Sequence, residues 1–214
     1  MMQQRLALIE AARSMAGLGI NQGSAGNISV RSGAGMLITP SAIPYDEITP
    51  EMVALMALDG AYGAYEGPKR PSSEWRFHLD IMRARPEVGA IVHTHAPYAT
   101  AIAMARRDIP PCHYMVTRFG GRDVRCAPYA LFGTAALSAY ALAALEGRSA
   151  CLLANHGFIA TGATLGAAMA AAVELEALAK QYVLSVSIGG PVLLSDDEIA
   201  KAMRQFATAY GPNV

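Results

Sequence analysis

His93 and His95 stand one residue apart, Glu74 lies upstream of them and His156 well downstream. Imidazole nitrogens and a carboxylate are the donors that Zn²⁺ takes, with imidazole at ~2.0–2.1 Å, and catalytic zinc sites pair three protein ligands with an open position for water or substrate. A histidine alone at a strand end is more often satisfied by hydrogen bonds, and H-x-H is a weak motif. A third histidine and a candidate carboxylate tip the reading to a divalent-metal site, where the open position would allow chemistry. The ligand type favours zinc, and Co²⁺ or Mn²⁺ fit the same donors.

The elements around these residues must aim them. The run Val88 to His95 is apolar and β-branched, which predicts a buried strand whose i and i+2 side chains share a face, so His93 and His95 point the same way. A second buried run, Ala150 to Ala154, ends just before His156-Gly157, where a strand would end and the chain turn. Leu6, Ile9, Met15 and Leu18 recur at roughly helical spacing and stop at Gly17-Leu18-Gly19, a glycine-rich helix end. Strands are expected over Asn27 to Arg31, Met36 to Thr39 and Met52 to Leu58, the last closed by Asp59-Gly60, with another short one near Val124. Helices are expected from Pro71 to about Arg83, Pro97 to about Arg106, Thr134 to Leu145, Leu165 to Ser185 and Asp196 to Ala209. The pattern is α/β, and hairpin-like early strands make an all-parallel sheet improbable.

Three loops could cradle an anion: Gly23-Ser24-Ala25-Gly26-Asn27, Thr39-Pro40-Ser41-Ala42, and Ser72-Ser73 at a helix start. Free backbone N–H groups at such places favour phosphate, although glycine for a turn and serine for an N-cap are the ordinary explanation of each alone. Glu74 falls in the first helical turn, where an ionised carboxylate is favoured, as a fourth ligand or a general base. His78, one turn on, is assigned to structure because the H-x-H strand supplies the better ligand set.

Seventeen basic residues balance seventeen acidic ones over 214 residues, and no Lys/Arg cluster forms a nucleic-acid stripe. The length fits one domain, 1–214. Three cysteines, Cys112, Cys126 and Cys151, suit structural thiols in a reducing compartment. No secretory signal is visible in the N-terminal residues, and charges interrupt the apolar stretch Leu165 to Ile188, against a membrane span. A cytoplasmic location is expected.

Seven segments carry a resemblance: Asn21 to Arg31, Leu37 to Pro40, Pro71 to His78, Val92 to His95, Ile109 to Met115, Cys126 to Thr134 and Asn155 to Gly157. In these the chain resembles the class II aldolase/adducin family along nearly its whole length. The resemblance implies a single-domain α/β fold with a central mixed or antiparallel sheet flanked by helices, a homotetramer with active sites at subunit interfaces, and one zinc per subunit on His93, His95 and His156. Glu74 would be the acid/base carboxylate that also touches the resting metal. Gly26, Asn27, Ser41, Ala42, Ser72 and Ser73 fall where the family holds substrate phosphate. Tyr114 matches a tyrosine that reaches a neighbouring subunit's site and handles the aldehyde oxygen. Ser24, Phe132 and Tyr210 would be further substrate or tail contacts, with a tail from about residue 208 expected to close the site.

The activity so implied is reversible cleavage of a ketose 1-phosphate to dihydroxyacetone phosphate and an aldehyde. A metal on the C2 carbonyl and C3 hydroxyl oxygens would stabilise the enediolate, and Lys69, Lys180 and Lys201 lie far from the histidines in sequence, which gives no reason for a Schiff base. Ser41-Ala42 replaces the family's Thr-Gly and keeps a hydroxyl while adding a methyl. Val116-Thr117-Arg118-Phe119 replaces small residues beside Tyr114, so L-fuculose 1-phosphate stands beside a 5-deoxypentulose or 5-methylthioribulose 1-phosphate as substrate. Epimerase, decarboxylase and dehydratase members share the ligands. An adducin-like interaction module predicts lost ligands and long charged extensions, and neither is present here.

Overall fold

The computed structural model of this chain describes residues 1–210, with the backbone alone at Tyr210. The Tyr210 side chain and residues 211–214, the end of the tail expected to close the site, lie outside the described residues.

Seven strands form one sheet: β1 (Asn27–Ser32), β2 (Gly35–Ile38), β3 (Ala54–Ala57), β4 (Ala90–Thr94), β5 (Cys126–Ala127), β6 (Ala150–Leu153) and β7 (Gly157–Gly162). Their order is β3-β2-β1-β4-β7-β6-β5. Every neighbouring pair is antiparallel except β5 with β6. The sheet is therefore mixed, as expected. Among the described residues there are six α-helices: α1 (Met2–Gly17), α2 (Trp75–Ala84), α3 (Pro97–Met104), α4 (Ala135–Ala144), α5 (Leu165–Ser187) and α6 (Asp196–Tyr210).

The two-residue period of the strands divides the core between both faces. Ile28, Val30, Val92, Leu152 and Phe158 pack with Leu8 of α1, Ala99 of α3 and Leu175 of α5. Met36, Ile38, Ile91, Leu153 and Ile159 pack with Phe77 of α2 and Leu137 of α4. His93 follows Ile91 by two residues and so faces α2, where its ring meets Phe77 edge-on at 5.3 Å between centroids. The sheet alternation thus aims His93 at the helix whose start carries Glu74.

Several expected boundaries move. Helix α2 begins at Trp75 with Glu74 as its N-cap residue, so Glu74 precedes the first turn. Met52 belongs to a short 3₁₀ turn, Pro50–Met52, and the third strand shrinks to Ala54–Ala57, because Pro50 starts that turn. The strand near Val124 is an isolated bridge with Ile109, and β5 starts at Cys126. In α1 the buried stripe is Leu8, Ile9, Ala12 and Met15, whereas Leu6 and Leu18 are half exposed. Strand β7 adds a strand to those expected; it is central and pairs with both β4 and β6.

Among the described residues no disulfide forms: Cys112 and Cys126 are half-buried and Cys151 is buried. Burial raises all three thiols, Cys126 to about 11, so they are protonated at neutral pH. No helix of the described residues is long and apolar enough to cross a membrane.

Candidate metal centre

Three elements end at one place. His93 is the next-to-last residue of β4, opposite Asn27 of β1, and His95 lies just beyond the strand. His156 occupies the connection between β6 and β7, where Asn155 adopts φ 54° and His156 N–H donates to Leu153 O at 3.0 Å. Glu74 enters from the start of α2.

The structure brings the four side chains together, with one donor atom from each lying within 4.8 Å of the others. His93 Nε2 is 3.1 Å from His95 Nε2 and 3.0 Å from Glu74 Oε2, and His156 Nε2 is 3.2 Å from Glu74 Oε1. His93 Nδ1 donates to Phe158 O at 2.8 Å. That bond leaves the Nε2 lone pair facing the cluster, the usual way an outer partner fixes a ligating histidine. Close approach is built into the backbone: a β-carbon on Gly157 would come within 2.8 Å of His95 Cδ2.

Charge follows the same geometry. Burial would raise the Glu74 carboxyl, but His93 and His156 outweigh it and hold the group well below the usual carboxylate range. Burial, reinforced by the His93 and His156 rings, lowers His95 to about 4. Burial opposes a charged His93, yet Glu74 and the Phe158 carbonyl raise it overall. Glu74 Oε1 is buried and accepts no aligned hydrogen bond. An ionised, buried carboxylate among imidazole nitrogens that converge fits a divalent ion.

A cavity of about 330 Å³ opens on this cluster, lined by Glu74, His95, His156, Ala25 and Ser73 and by Tyr129, Ala130 and Phe132. Phe132 is 59% exposed and Tyr129 54% exposed, an apolar rim beside polar ligands. No lysine lines it.

The three anion loops gather at the same end of the sheet. Pro40 bridges Pro71, Ser72 N–H donates to Thr39 O at 2.9 Å, and Ser41 N–H donates to Arg70 O at 3.0 Å. Thus Ser41-Ala42 and Ser72-Ser73 are neighbours. Ser24 and Ala42 are exposed, while Gly26 and Ser72 are buried. The Ser72 hydroxyl accepts from Glu74 N–H at 3.3 Å. Asn27 turns its amide inward, donating to Glu74 Oε2 at 3.1 Å. Ala42 holds φ 57°, a left-handed conformation that favours glycine.

Tyr114 is not brought into the cluster of its own chain. It stands in the 3₁₀ segment Tyr114–Phe119, 52% exposed, with its ring 6.1 Å from that of Phe206 on α6. A separate cavity lies there, between Tyr114, Arg118 and Phe206.

Some supporting residues were not apparent from sequence. Tyr45 Oη donates to Gly26 O at 2.5 Å and receives Asn21 Nδ2 at 3.4 Å, which ties down the Gly23–Asn27 loop. Arg106 donates to Asn155 Oδ1 at 2.8 Å beside His156. Glu176 of α5 accepts the N–H groups of Tyr98 and Ala99 at 2.8 and 2.9 Å, capping the helix that follows His95. Each of these contacts spans many residues of chain, and no local motif signals it.

Residues 6–183 match the family model described as class II aldolase and adducin N-terminal domain. The chain is 52% identical over 209 residues to a 5-methylthioribulose-1-phosphate/5-deoxyribulose-1-phosphate aldolase of Rhodospirillum rubrum, covering 98% of this chain and 93% of that protein. It is 46% identical over 205 residues to the L-fuculose phosphate aldolase of Escherichia coli K12, covering 95% and 94%. A solved structure of an L-fuculose 1-phosphate aldolase superposes with a TM-score of 0.89 at 38% identity, covering 94% of this chain and 95% of that one. The chain belongs to the class II aldolase and adducin N-terminal domain family.

Proposed function

We propose that this chain is a metal-dependent aldolase that cleaves a ketose 1-phosphate to dihydroxyacetone phosphate and an aldehyde. The observation that carries the reading is Glu74: a buried, ionised carboxylate held against three convergent histidines, with anion loops beside it. His93, His95 and His156 hold the ion, which is Zn²⁺ by donor type, one per subunit. When bound, the ion supplies positive charge that stabilises the enediolate formed as the C3–C4 bond breaks.

The chain's own residues do the rest. Backbone and hydroxyl groups of Gly26, Ser41, Ala42, Ser72 and Ser73 hold the phosphate, with Asn27 at the loop's end, and orient C3 toward Glu74. In the synthetic direction Glu74 takes a proton from the hydroxymethyl carbon of dihydroxyacetone phosphate. In cleavage the same carboxyl returns that proton, while the C4 hydroxyl loses its own as the aldehyde forms. Tyr114 lies apart from its own chain's cluster, which suits service at a neighbouring subunit's site in a homotetramer, where it handles the aldehyde oxygen. Ser24 and Phe132 flank the aldehyde end.

The apolar rim of Tyr129 and Phe132 supports an aldehyde with an apolar tail, as from 5-methylthioribulose 1-phosphate or 5-deoxyribulose 1-phosphate, over the more polar lactaldehyde end of L-fuculose 1-phosphate. Release of dihydroxyacetone phosphate from these three substrates tests the reading. The first two should give the higher kcat/KM. No release from any of them by zinc-loaded protein would overturn it.

A further inference from the structure

Behind Glu74 lies a buried chain of polar side chains that the reaction scheme above does not use. Ser29 Oγ is 2.8 Å from His78 Nδ1, and His78 Nε2 is 2.5 Å from Asn27 Oδ1. Asn27 Nδ2 in turn is 3.1 Å from Glu74 Oε2. Ser29 and His78 are 0% exposed and Asn27 is 3% exposed, so water cannot substitute for any partner, and each group must be satisfied within the chain.

Hydrogen accounting leaves one consistent arrangement. Asn27 presents its NH₂ to the Glu74 Oε2 acceptor and its carbonyl to His78. The carbonyl then requires a proton on His78 Nε2. Burial, with the His93 ring nearby, lowers His78 to about 3, so the ring is neutral and carries one proton. Nδ1 is therefore bare and accepts from the Ser29 hydroxyl. The opposite order would set the Asn27 carbonyl against the carboxylate, two acceptors 3.1 Å apart. The two oxygens of Glu74 become unequal as a result. Oε2 is pinned by an amide N–H, whereas Oε1 has no amide donor and faces His156 Nε2 at 3.2 Å.

We propose that His78 and Ser29 are positioning residues that lock the Asn27 amide, holding Glu74 by Oε2 and reserving Oε1 as the oxygen that carries the substrate proton. This rests on the aldolase reading of Glu74. A polar chain of this kind fixes geometry as an outer partner fixes a metal ligand, where loss typically costs about 10- to 100-fold.

Two measurements test it. Long-range ¹H–¹⁵N correlation spectra of the labelled wild-type protein should show His78 protonated at Nε2 and bare at Nδ1, with and without zinc. An Nδ1-protonated ring would overturn the assignment whether or not any variant folds. The second measurement compares His78→Gln, whose side-chain NH₂ can still donate to Asn27, with His78→Leu, which cannot. His78→Leu should lose about 10- to 100-fold in kcat with KM within about 2-fold of wild type and unchanged zinc content. His78→Gln should recover to within about 3-fold of wild type. Equal kcat in the two variants, or a loss in His78→Leu that falls on KM or zinc content, would overturn the positioning role alone. A zinc-loaded wild type without turnover would instead overturn the aldolase reading and this assignment with it.

Discussion

Gly157 lies directly against His95: a β-carbon on Gly157 would stand 2.8 Å from His95 Cδ2 and closer still to the Thr94 carbonyl. The β6–β7 connection can bring His156 to the cluster only because position 157 lacks a side chain. Gly157→Ala should therefore push β7 from β4 at the ligand end, costing about 1–3 kcal/mol of stability and weakening zinc binding by about 10-fold or more. Denaturant unfolding and competition with a chromophoric chelator check both effects. Wild-type affinity in the variant would contradict the close-packing account.

Ala42 offers the opposite case. Its φ of 57° costs a non-glycine residue roughly 1–2 kcal/mol, and glycine would relieve this while losing some entropy to the unfolded chain. Ala42→Gly should raise stability by about 0.5–1 kcal/mol, equivalent to a rise in Tm of about 1–4 °C for a chain of this size. A calorimetric scan decides it, and a lower Tm would contradict strain at this position.

Glu176 caps α3 from a buried position. Burial raises its pKa above the ordinary carboxylate value, outweighing the Tyr98 and Ala99 N–H groups and Lys180, which lower it. The native state then keeps a proton that the unfolded chain releases, so this group's contribution to stability falls as pH rises above about 4.5. Glu176→Gln should remove that slope, and Glu176→Ala should cost about 1–2 kcal/mol by stripping the cap. Urea midpoints between pH 4.5 and 7 for wild type and Glu176→Gln give the comparison. Parallel curves would contradict the linkage.

The sequence made the candidate metal ligands legible for a physical reason. A strand buried on both faces reads as a continuous apolar run, so histidines inside Val88 to His95 stand out as the exception that needs a purpose. Strand β7 is not legible in the sequence because its short run, Gly157–Gly162, is bracketed by glycines that read as turns. The Asn27–Glu74 bond spans 47 residues and the His78–Asn27 bond 51. Asn27 read as part of an anion loop and His78 as a core residue, since nothing local shows that their side chains meet. Tyr114 illustrates another limit: its chain places it near Phe206 and away from its own metal cluster, a relationship that periodicity cannot express.

Removing single groups should separate metal binding from proton transfer. Glu74→Gln keeps three imidazoles and should retain most zinc while losing about 10²- to 10⁴-fold in turnover, the usual worth of a positioned acid/base. His93→Ala should lose zinc as well, because His93 faces both Glu74 and His95. Zinc content by atomic emission beside initial rates distinguishes the two variants.

The most direct test follows the proton on the hydroxymethyl carbon of dihydroxyacetone phosphate, which Glu74 removes in the proposed mechanism whatever the aldehyde partner. In D₂O, with no aldehyde present, zinc-loaded wild type should incorporate one deuterium at that carbon, and Glu74→Gln or chelated wild type should incorporate none on the same timescale. Exchange by Glu74→Gln at the wild-type rate would contradict the central role given to this carboxylate.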